Sequence, residues 1–425
     1  MKKVFLMMSL ALMAVLVMSC TNEDLTEEVN ENFVESSSHR LTAEQAAQNV
    51  MNFVSKVNGT TRSASKQIAE VKAISMPGVM TRSGSGELFN LDSLFYVVNF
   101  TDNQGFAVAA ADDRETPVYA YIEDGNYSGY SSDEDNPGFD AFMNALIEQE
   151  IYERFYDQGN GIGEGGDDDD DDDDEFPQED ETGGGGGVYL PDRFIVQSPL
   201  LVTKWGQGYF NNYNMYCPDG SPTGCVVTAM AQICSYLESP NSVNWAQNGT
   251  FGGSPLDWPV IKLSPYPYGE SQNQVAHLMR FLGVAFNADY SSDGTSVDSG
   301  DAIDAMRNFG HNVSNLTDYD AINVVETLSQ GNRIIFMRGN ARYYHVAFVF
   351  RRYVDGHAWV VDGYIDQVEN RERSIYVHCN WGWDGQKNGY FLSSVLNAEQ
   401  NPVFDDNGTR SQNYRYRLKT ATFVK

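Results

Sequence analysis

The feature that most constrains this chain is a stretch in its middle that has nothing to bury. Gly159 to Gly166 is glycine-rich, Asp167 to Asp174 is an unbroken run of eight aspartates, and Gly183 to Gly187 is five glycines. Such a segment lacks the apolar surface needed to offset the entropy of ordering. Residues 158–187 therefore read as an acidic Gly/Asp-rich linker that divides the 425 residues into two parts, each with its own apolar pattern. Aspartate runs suggest calcium, but calcium loops interleave their ligands with a turn glycine, and a homopolymer does not. The glycine-rich flanks are exposed targets for proteolysis.

The charge follows the same division. Of the formal net −31, residues 1–187 carry −27 and residues 188–425 carry −4. Acidity of this kind argues against a nucleic-acid partner, whose phosphates attract basic surfaces. The 41% hydrophobic content is enough for true cores.

The N-terminus reads as an address. Lys2 and Lys3 precede an uncharged, largely apolar run from Val4 to Met18, followed by Ser19 and Cys20. That run is short for a membrane span and suits an export signal. Val17-Met18-Ser19-Cys20 resembles a bacterial lipobox, in which the cysteine is lipidated. This assigns 1–20 to a lipoprotein signal peptide or a plain secretory one, with membrane contact only through a lipid on Cys20. The destination is then the outer membrane, the cell surface or the medium. Export puts Cys217, Cys225, Cys234 and Cys379 in an oxidising setting, where up to two bridges can form. No CxxC or CxxH spacing suggests zinc.

Residues 21–157 read as a small α+β domain. Thr42 with Gln45 makes a capping box for a helix over 42–56, with Ala46, Val50, Phe53 and Val54 at helical spacing. A polar stretch follows to about residue 86. Strands are expected at 95–100, 105–111 and 118–122, and a helix from Phe139 to Phe155. In the second part, 188–425, Val226, Ala229, Met230, Ile233 and Leu237 form one apolar stripe of a helix starting near Cys225. Helices are expected at 273–282 and 301–309, and strands at 334–337, 346–350, 358–361 and 374–378. Helices first and strands after make an α+β order.

Chemistry concentrates in the second part. In Thr223-Gly224-Cys225-Val226, the glycine permits a tight approach and the cysteine opens the helix, where the macrodipole favours the thiolate. A nucleophilic thiol needs a base, and six histidines are on offer: His39, His277, His311, His345, His357 and His378. His357, after Gly356 at the entry to an apolar strand, has small neighbours. His345, between bulky residues, is its rival. Asn380 can hold an imidazole in its useful tautomer, and Trp381 can shield that hydrogen bond. Gln207, 18 residues before Cys225, can join the Cys225 N–H as an oxyanion donor. Cys234, mid-helix, reads as a buried structural thiol.

The order Gln, Cys, His, Asn-Trp resembles that of papain-like cysteine peptidases. Gly224-Cys225-Val226, Gly356-His357-Ala358 through Asp362-Gly363, and Asn380-Trp381-Gly382-Trp383 are similar to the motifs of the streptopain family, which includes the interpain-type peptidases. Asn103-Gln104-Gly105-Phe106-Ala107-Val108 resembles that family's propeptide. The resemblance implies an α+β fold with a papain-like catalytic domain behind a small α+β propeptide domain. It implies a cysteine endopeptidase made as a zymogen, with its own propeptide as intramolecular inhibitor, protein or peptide substrates and no cofactor. Cys225 would be nucleophile, His357 base and acid, Asn380 its orienter, Gln207 the oxyanion donor and Trp381 the shield. Asp384 sits where this motif commonly has glycine. The competing readings are a papain-like cell-wall amidopeptidase and a catalytically silent surface binding protein.

Overall fold

The computed structural model describes residues 39–60, 66–75, 93–129, 136–157, 191–208, 210–291, 294–339, 344–346, 350–352, 356–396 and 418–425. The expected leader, lipobox and linker lie outside these residues.

Chain order in the first part is α1 (Ala43–Thr60), β1 (Ile68–Ile74), β2 (Phe95–Phe100), β3 (Phe106–Ala110), β4 (Val118–Ile122) and α2 (Pro137–Asp157). The capping box is present and reciprocal: Gln45 N–H donates to Thr42 Oγ1 and Thr42 N–H to Gln45 Oε1. α2 starts with Pro137, behind Asn136, whose Oδ1 accepts from the N–H groups of Gly138 and Phe139. The strand β1 was not expected; its residues are exposed or only half-buried.

The second part runs β5 (Arg193–Gln197), α3 (Cys225–Leu237), β6 (Ser242–Gln247), β7 (Thr250–Pro255), α4 (Trp258–Ile261), α5 (Glu270–Ala285), β8 (Asp289–Ser291), β9 (Gly294–Ser296), α6 (Ser299–Asn308), β10 (Asn312–Val313), β11 (Thr317–Asp318) and α7 (Ala321–Ser329). It continues with β12 (Arg333–Gly339), β13 (Tyr344–Val346), β14 (Phe350–Arg352), β15 (His357–Glu369), β16 (Glu372–Asn380), β17 (Gly389–Leu392), α8 (Ser393–Leu396) and β18 (Lys419–Val424). The expected strand 346–350 is instead the end of one short strand and the start of another, with 347–349 outside the described residues. α3 is buried on all sides from Val226 to Ser235, not on one stripe alone.

One antiparallel sheet crosses both parts, in the order β1-β2-β3-β4-β17-β16-β15-β12-β18-β10, with β5 paired to β15 and β11 to β18. The join is β4 on β17, with Gly389 opposite Ile122, Tyr390 opposite Tyr121 and Phe391 opposite Ala120. Side chains of successive strand residues point to opposite faces. One face packs with α1, α2, α7 and α8, the other with α3, α5 and α6. Arg193 of β5 and Arg373 of β16 both bond the buried carboxylate of Asp366, tying β5 to the sheet.

The two parts meet over a broad, mostly apolar contact. Phe53 of α1 packs on Tyr376 and Phe194, and Phe139 and Phe142 of α2 pack edge-on to Phe391. Polar contacts frame these rings: Tyr376 OH donates to Val118 O at 2.7 Å, and Asn136 Nδ2 to Gln386 O at 2.9 Å.

Candidate active site

Gly224, at φ +91°, makes the turn into α3, and a Cβ there would come within 2.9 Å of Thr295 O. No side chain caps this helix, so its first N–H groups remain available. Those of Cys225 and Val226, with that of Ala358, reach the Cys225 sulfur. The thiol itself faces Gly356 O at 3.9 Å. The expectation of a favoured thiolate is not met in this conformation: burial pushes the Cys225 thiol up, and the three N–H groups offset that only in part.

His357 is the first residue of β15, paired with Gly339 of β12. Strand alternation decides where its ring goes. Ala358 and Val360 face the core that holds α3 and Cys225, whereas Trp359 and Val361 face the core that holds α2. The His357 ring stacks on Trp359, 5.9 Å between centroids at 18°, so it lies on the α2 side. Its Nε2 meets the Trp381 carbonyl at 2.8 Å. Burial lowers its pKa to about 4, with the Trp381 carbonyl opposing. Thiol and imidazole share no hydrogen bond among the described residues. Gly138, Ala141 and Phe142 of α2 line a small apolar cavity with His357, Trp359 and Trp381.

Asn380 ends β16, and its amide bonds to residues other than His357. Its Nδ2 donates to Thr203 O at 2.9 Å, and its Oδ1 accepts from Gln232 Nε2 at 3.1 Å. Trp381 is buried, its Nε1 donating to Lys387 O at 2.9 Å. Gln207 is half-buried, and its carbonyl accepts from Thr223 N–H at 3.0 Å, two residues before Cys225. The structure thus brings the Gln207 segment to the turn before Cys225 and ties Asn380 to Gln232 within α3. His357 and the Trp381 ring lie together on the α2 side of the sheet.

Two positioning residues were missed by sequence reasoning. Gln232 of α3, wholly buried, accepts from Trp205 N–H at 3.1 Å and donates to Asn380, joining the Gln207 segment to the Asn380 strand. A lone Gln inside an otherwise apolar helix was the available signal. Asp384, flagged as a departure, is the second. Its carboxylate accepts from Asn211 Nδ2 at 2.7 Å and from Gly206 N–H, and burial raises its pKa against both. A Cβ on Gly206 would collide with it at 2.1 Å.

Three other histidines lie elsewhere in the fold. His345 lies in β13, in a two-stranded hairpin apart from the main sheet. His277 stacks on Tyr216 and accepts from Trp245 Nε1 at 3.2 Å. His378 pairs with Asp362. Among the described residues Cys217, Cys225, Cys234 and Cys379 are free thiols, with no bridge between any two of them. Cys217 is pushed up to about 11 and Cys234 to about 12 by burial. Among the described residues no three His, Cys, Asp or Glu side chains are grouped to hold a metal ion.

The model of the Peptidase C10 family matches residues 205–391, spanning all five of these site positions. Over residues 205–391 the chain is similar to the Peptidase C10 family. A second model, described as Spi protease inhibitor, matches residues 38–151, the segment that ends in α2. Streptopain of Streptococcus pyogenes is 29% identical over 204 residues, 41% of this chain and 46% of that protein, so the chain spans about half the length of that relative. A thiol protease/hemagglutinin of Porphyromonas gingivalis is 24% identical over 330 residues, 72% of this chain and 34% of the other. Among solved structures, a prointerpain A fragment of Prevotella intermedia superposes with TM-score 0.50 at 21% identity, covering 84% of this chain and 98% of the fragment. That likeness shows the fold of the chain, with an inhibitor-like segment and a peptidase-like segment together.

Proposed function

We propose that this chain is an exported cysteine endopeptidase made as a zymogen, with residues 188–425 as the peptidase and 21–157 as its inhibitor. The observation that carries the reading is Cys225 at the uncapped start of α3, its sulfur within reach of three backbone N–H groups. The inhibitor-like segment packs over His357 and Trp381.

In the working enzyme the Cys225 thiolate attacks the carbonyl carbon of the scissile peptide bond, with its proton held on His357. The oxyanion that forms takes hydrogen bonds from the Cys225 N–H and the Gln207 side-chain amide; losing one such donor typically costs about 100- to 1,000-fold in rate. His357 passes its proton to the leaving amine. Water, deprotonated by His357, then attacks the thioester and releases the thiol. Asn380 orients the His357 ring and Trp381 shields the pair. This cycle needs His357 to leave the Trp381 carbonyl and turn toward α3, and α2 occupies the space beside it. Removal of the propeptide frees that movement. The basic, apolar leader ending in Cys20 supports export, with a lipid on Cys20 as the membrane contact.

The test is the full chain with and without Cys225→Ala. The wild type should hydrolyse casein and convert itself, by a cut in or just after residues 158–187, to a species of about 238 residues beginning near Val188. The variant should fold and stay uncut. Turnover by the variant, or a wild type fully active without any cut, overturns the assignment.

A further inference from the structure

Where β4 meets β17, a group of charges remains that the chemistry above does not use. His378 lies on β16 and is 4% exposed. Its Nδ1 is held by Asp362 Oδ1 at 2.6 Å. Asp362 is wholly buried and also accepts from Leu201 N–H at 2.9 Å through Oδ2. The other ring nitrogen, Nε2, is buried without a hydrogen-bond partner. It faces Glu123 Oε2, 3.9 Å away. Glu123 directly follows β4, and its neighbour Asp124 accepts from Lys204 Nζ at 2.5 Å. A buried ring nitrogen with no partner is unfavourable, and a carboxylate opposite a charged imidazole relieves it.

We infer that His378 and Lys204 form a carboxylate-binding site on the catalytic part, that its ligand is the consecutive acidic pair Glu123 and Asp124, and that this contact latches the propeptide in place. With Nδ1 bound to Asp362, a neutral ring turns a lone pair toward Glu123, and a charged ring turns an N–H toward it. The contact therefore switches from repulsive to attractive with one proton.

The groups facing His378 are Asp362 from β15, Glu123 and Asp124 from the end of β4, Lys204 from the segment before Trp205, and the Tyr390 ring of β17 at 5.0 Å. Burial disfavours the imidazolium, but Asp362 and then Glu123 outweigh it, against Lys204, so the proton is held above the ordinary histidine value. Glu123 contributes only while the propeptide is docked, so docking favours the charged ring. The latch is complete below the ordinary histidine value and is lost as pH rises through the raised one. His357, buried neutral beneath α2, responds to pH in the opposite sense. The latch is therefore read as a ratio between variant and parent at each pH.

The inference rests on residues 21–157 being a releasable inhibitor, and not on the chemistry of Cys225. The test uses the full chain carrying Cys225→Ala, nicked within 158–187 by limited digestion with an unrelated protease. Release of the propeptide after dilution is timed by size exclusion. At about pH 6, Glu123→Gln and Asp124→Asn should each release about three- to tenfold faster than the parent. The Glu123→Gln ratio should fall toward one by about pH 8. The Asp124→Asn ratio should stay level, because Lys204 holds its proton above the usual lysine value. His378→Gln should remove the pH dependence of the Glu123 effect. Release of Glu123→Gln at the parent's rate throughout, or with a pH-independent ratio, overturns the latch. A nicked chain that never releases the segment overturns the releasable-inhibitor reading beneath it.

Discussion

Gly138 is where the propeptide helix comes closest to the Trp-rich loop. A Cβ there would fall 2.2 Å from Cε3 and 2.5 Å from Cζ3 of Trp381. Ordinary carbon contacts are about 3.5–4.0 Å. Trp381 cannot retreat, being 1% exposed and held by Lys387 O and Asn388 Oδ1. The overlap introduced by Gly138→Ala must be relieved by lifting the start of α2. Overpacking of this kind costs about 1–3 kcal/mol. The gain in helix propensity from Gly to Ala, about 0.5–1 kcal/mol at most, is the smaller effect. The net, up to about 2.5 kcal/mol, should loosen α2 by up to roughly 70-fold. Because the change lies outside the catalytic part, the full chain carrying Gly138→Ala should process itself faster, and Cys225 should react sooner with an active-site thiol probe. Gly59→Ala, in α1 with open space around it, is the control and should leave both rates unchanged. Processing of folded Gly138→Ala at the wild-type rate would refute the argument that α2, seated on Trp381, restrains the site.

Further outcomes follow from the histidines. His357→Ala, measured on processed enzyme, should lose on the order of 1,000-fold or more in rate, whereas His345→Ala should cost far less; equal losses at equal stability would remove His357 from the mechanism. The buried His357 has its pKa lowered to about 4, against an ordinary value of 6.5. A depressed histidine stabilises the closed site fully above the ordinary value, and that stabilisation drains away as pH falls from 6.5 toward 4. Release of the nicked propeptide from a Glu123→Gln chain that also carries Cys225→Ala, from which the His378 contribution has been removed, should accelerate as pH falls over that interval and stay level above it.

Local features were legible because they depend on neighbouring residues. The capping box at Thr42, the helix opened by Cys225 and the apolar entry to β15 each lie within a few positions of the chain. The strands β1 and β5 were not, because their sequences alternate weakly and their pairing partners define them. The single sheet was hidden for the same reason: Ala120 and Phe391 are far apart in the chain, and only tertiary packing sets them opposite each other. The orientation of His357 was within reach. Counting by twos from Trp359 puts His357 on the Trp359 face and away from Ala358, and a period of two is the strongest signal a strand carries. Asn380 read as the orienter of His357, yet its hydrogen bonds go to Thr203 and Gln232. Which partner an amide chooses depends on residues brought in from other elements.

The β4–β17 seam has a consequence for production as well as for control. When the propeptide departs, the ladder along Gly389 to Phe391 loses its partner. A row of unpaired backbone donors and acceptors then opens beside the Phe391 ring that Phe139 and Phe142 had covered. Such a sticky edge strand is a template for pairing with another chain. A catalytic part made without residues 40–157 would display that edge from the first moment of folding, at high concentration and among its own copies. On the proposed reading, the segment that silences the enzyme also serves its sheet as a removable end-piece, protecting the molecule from self-association for as long as it stays docked.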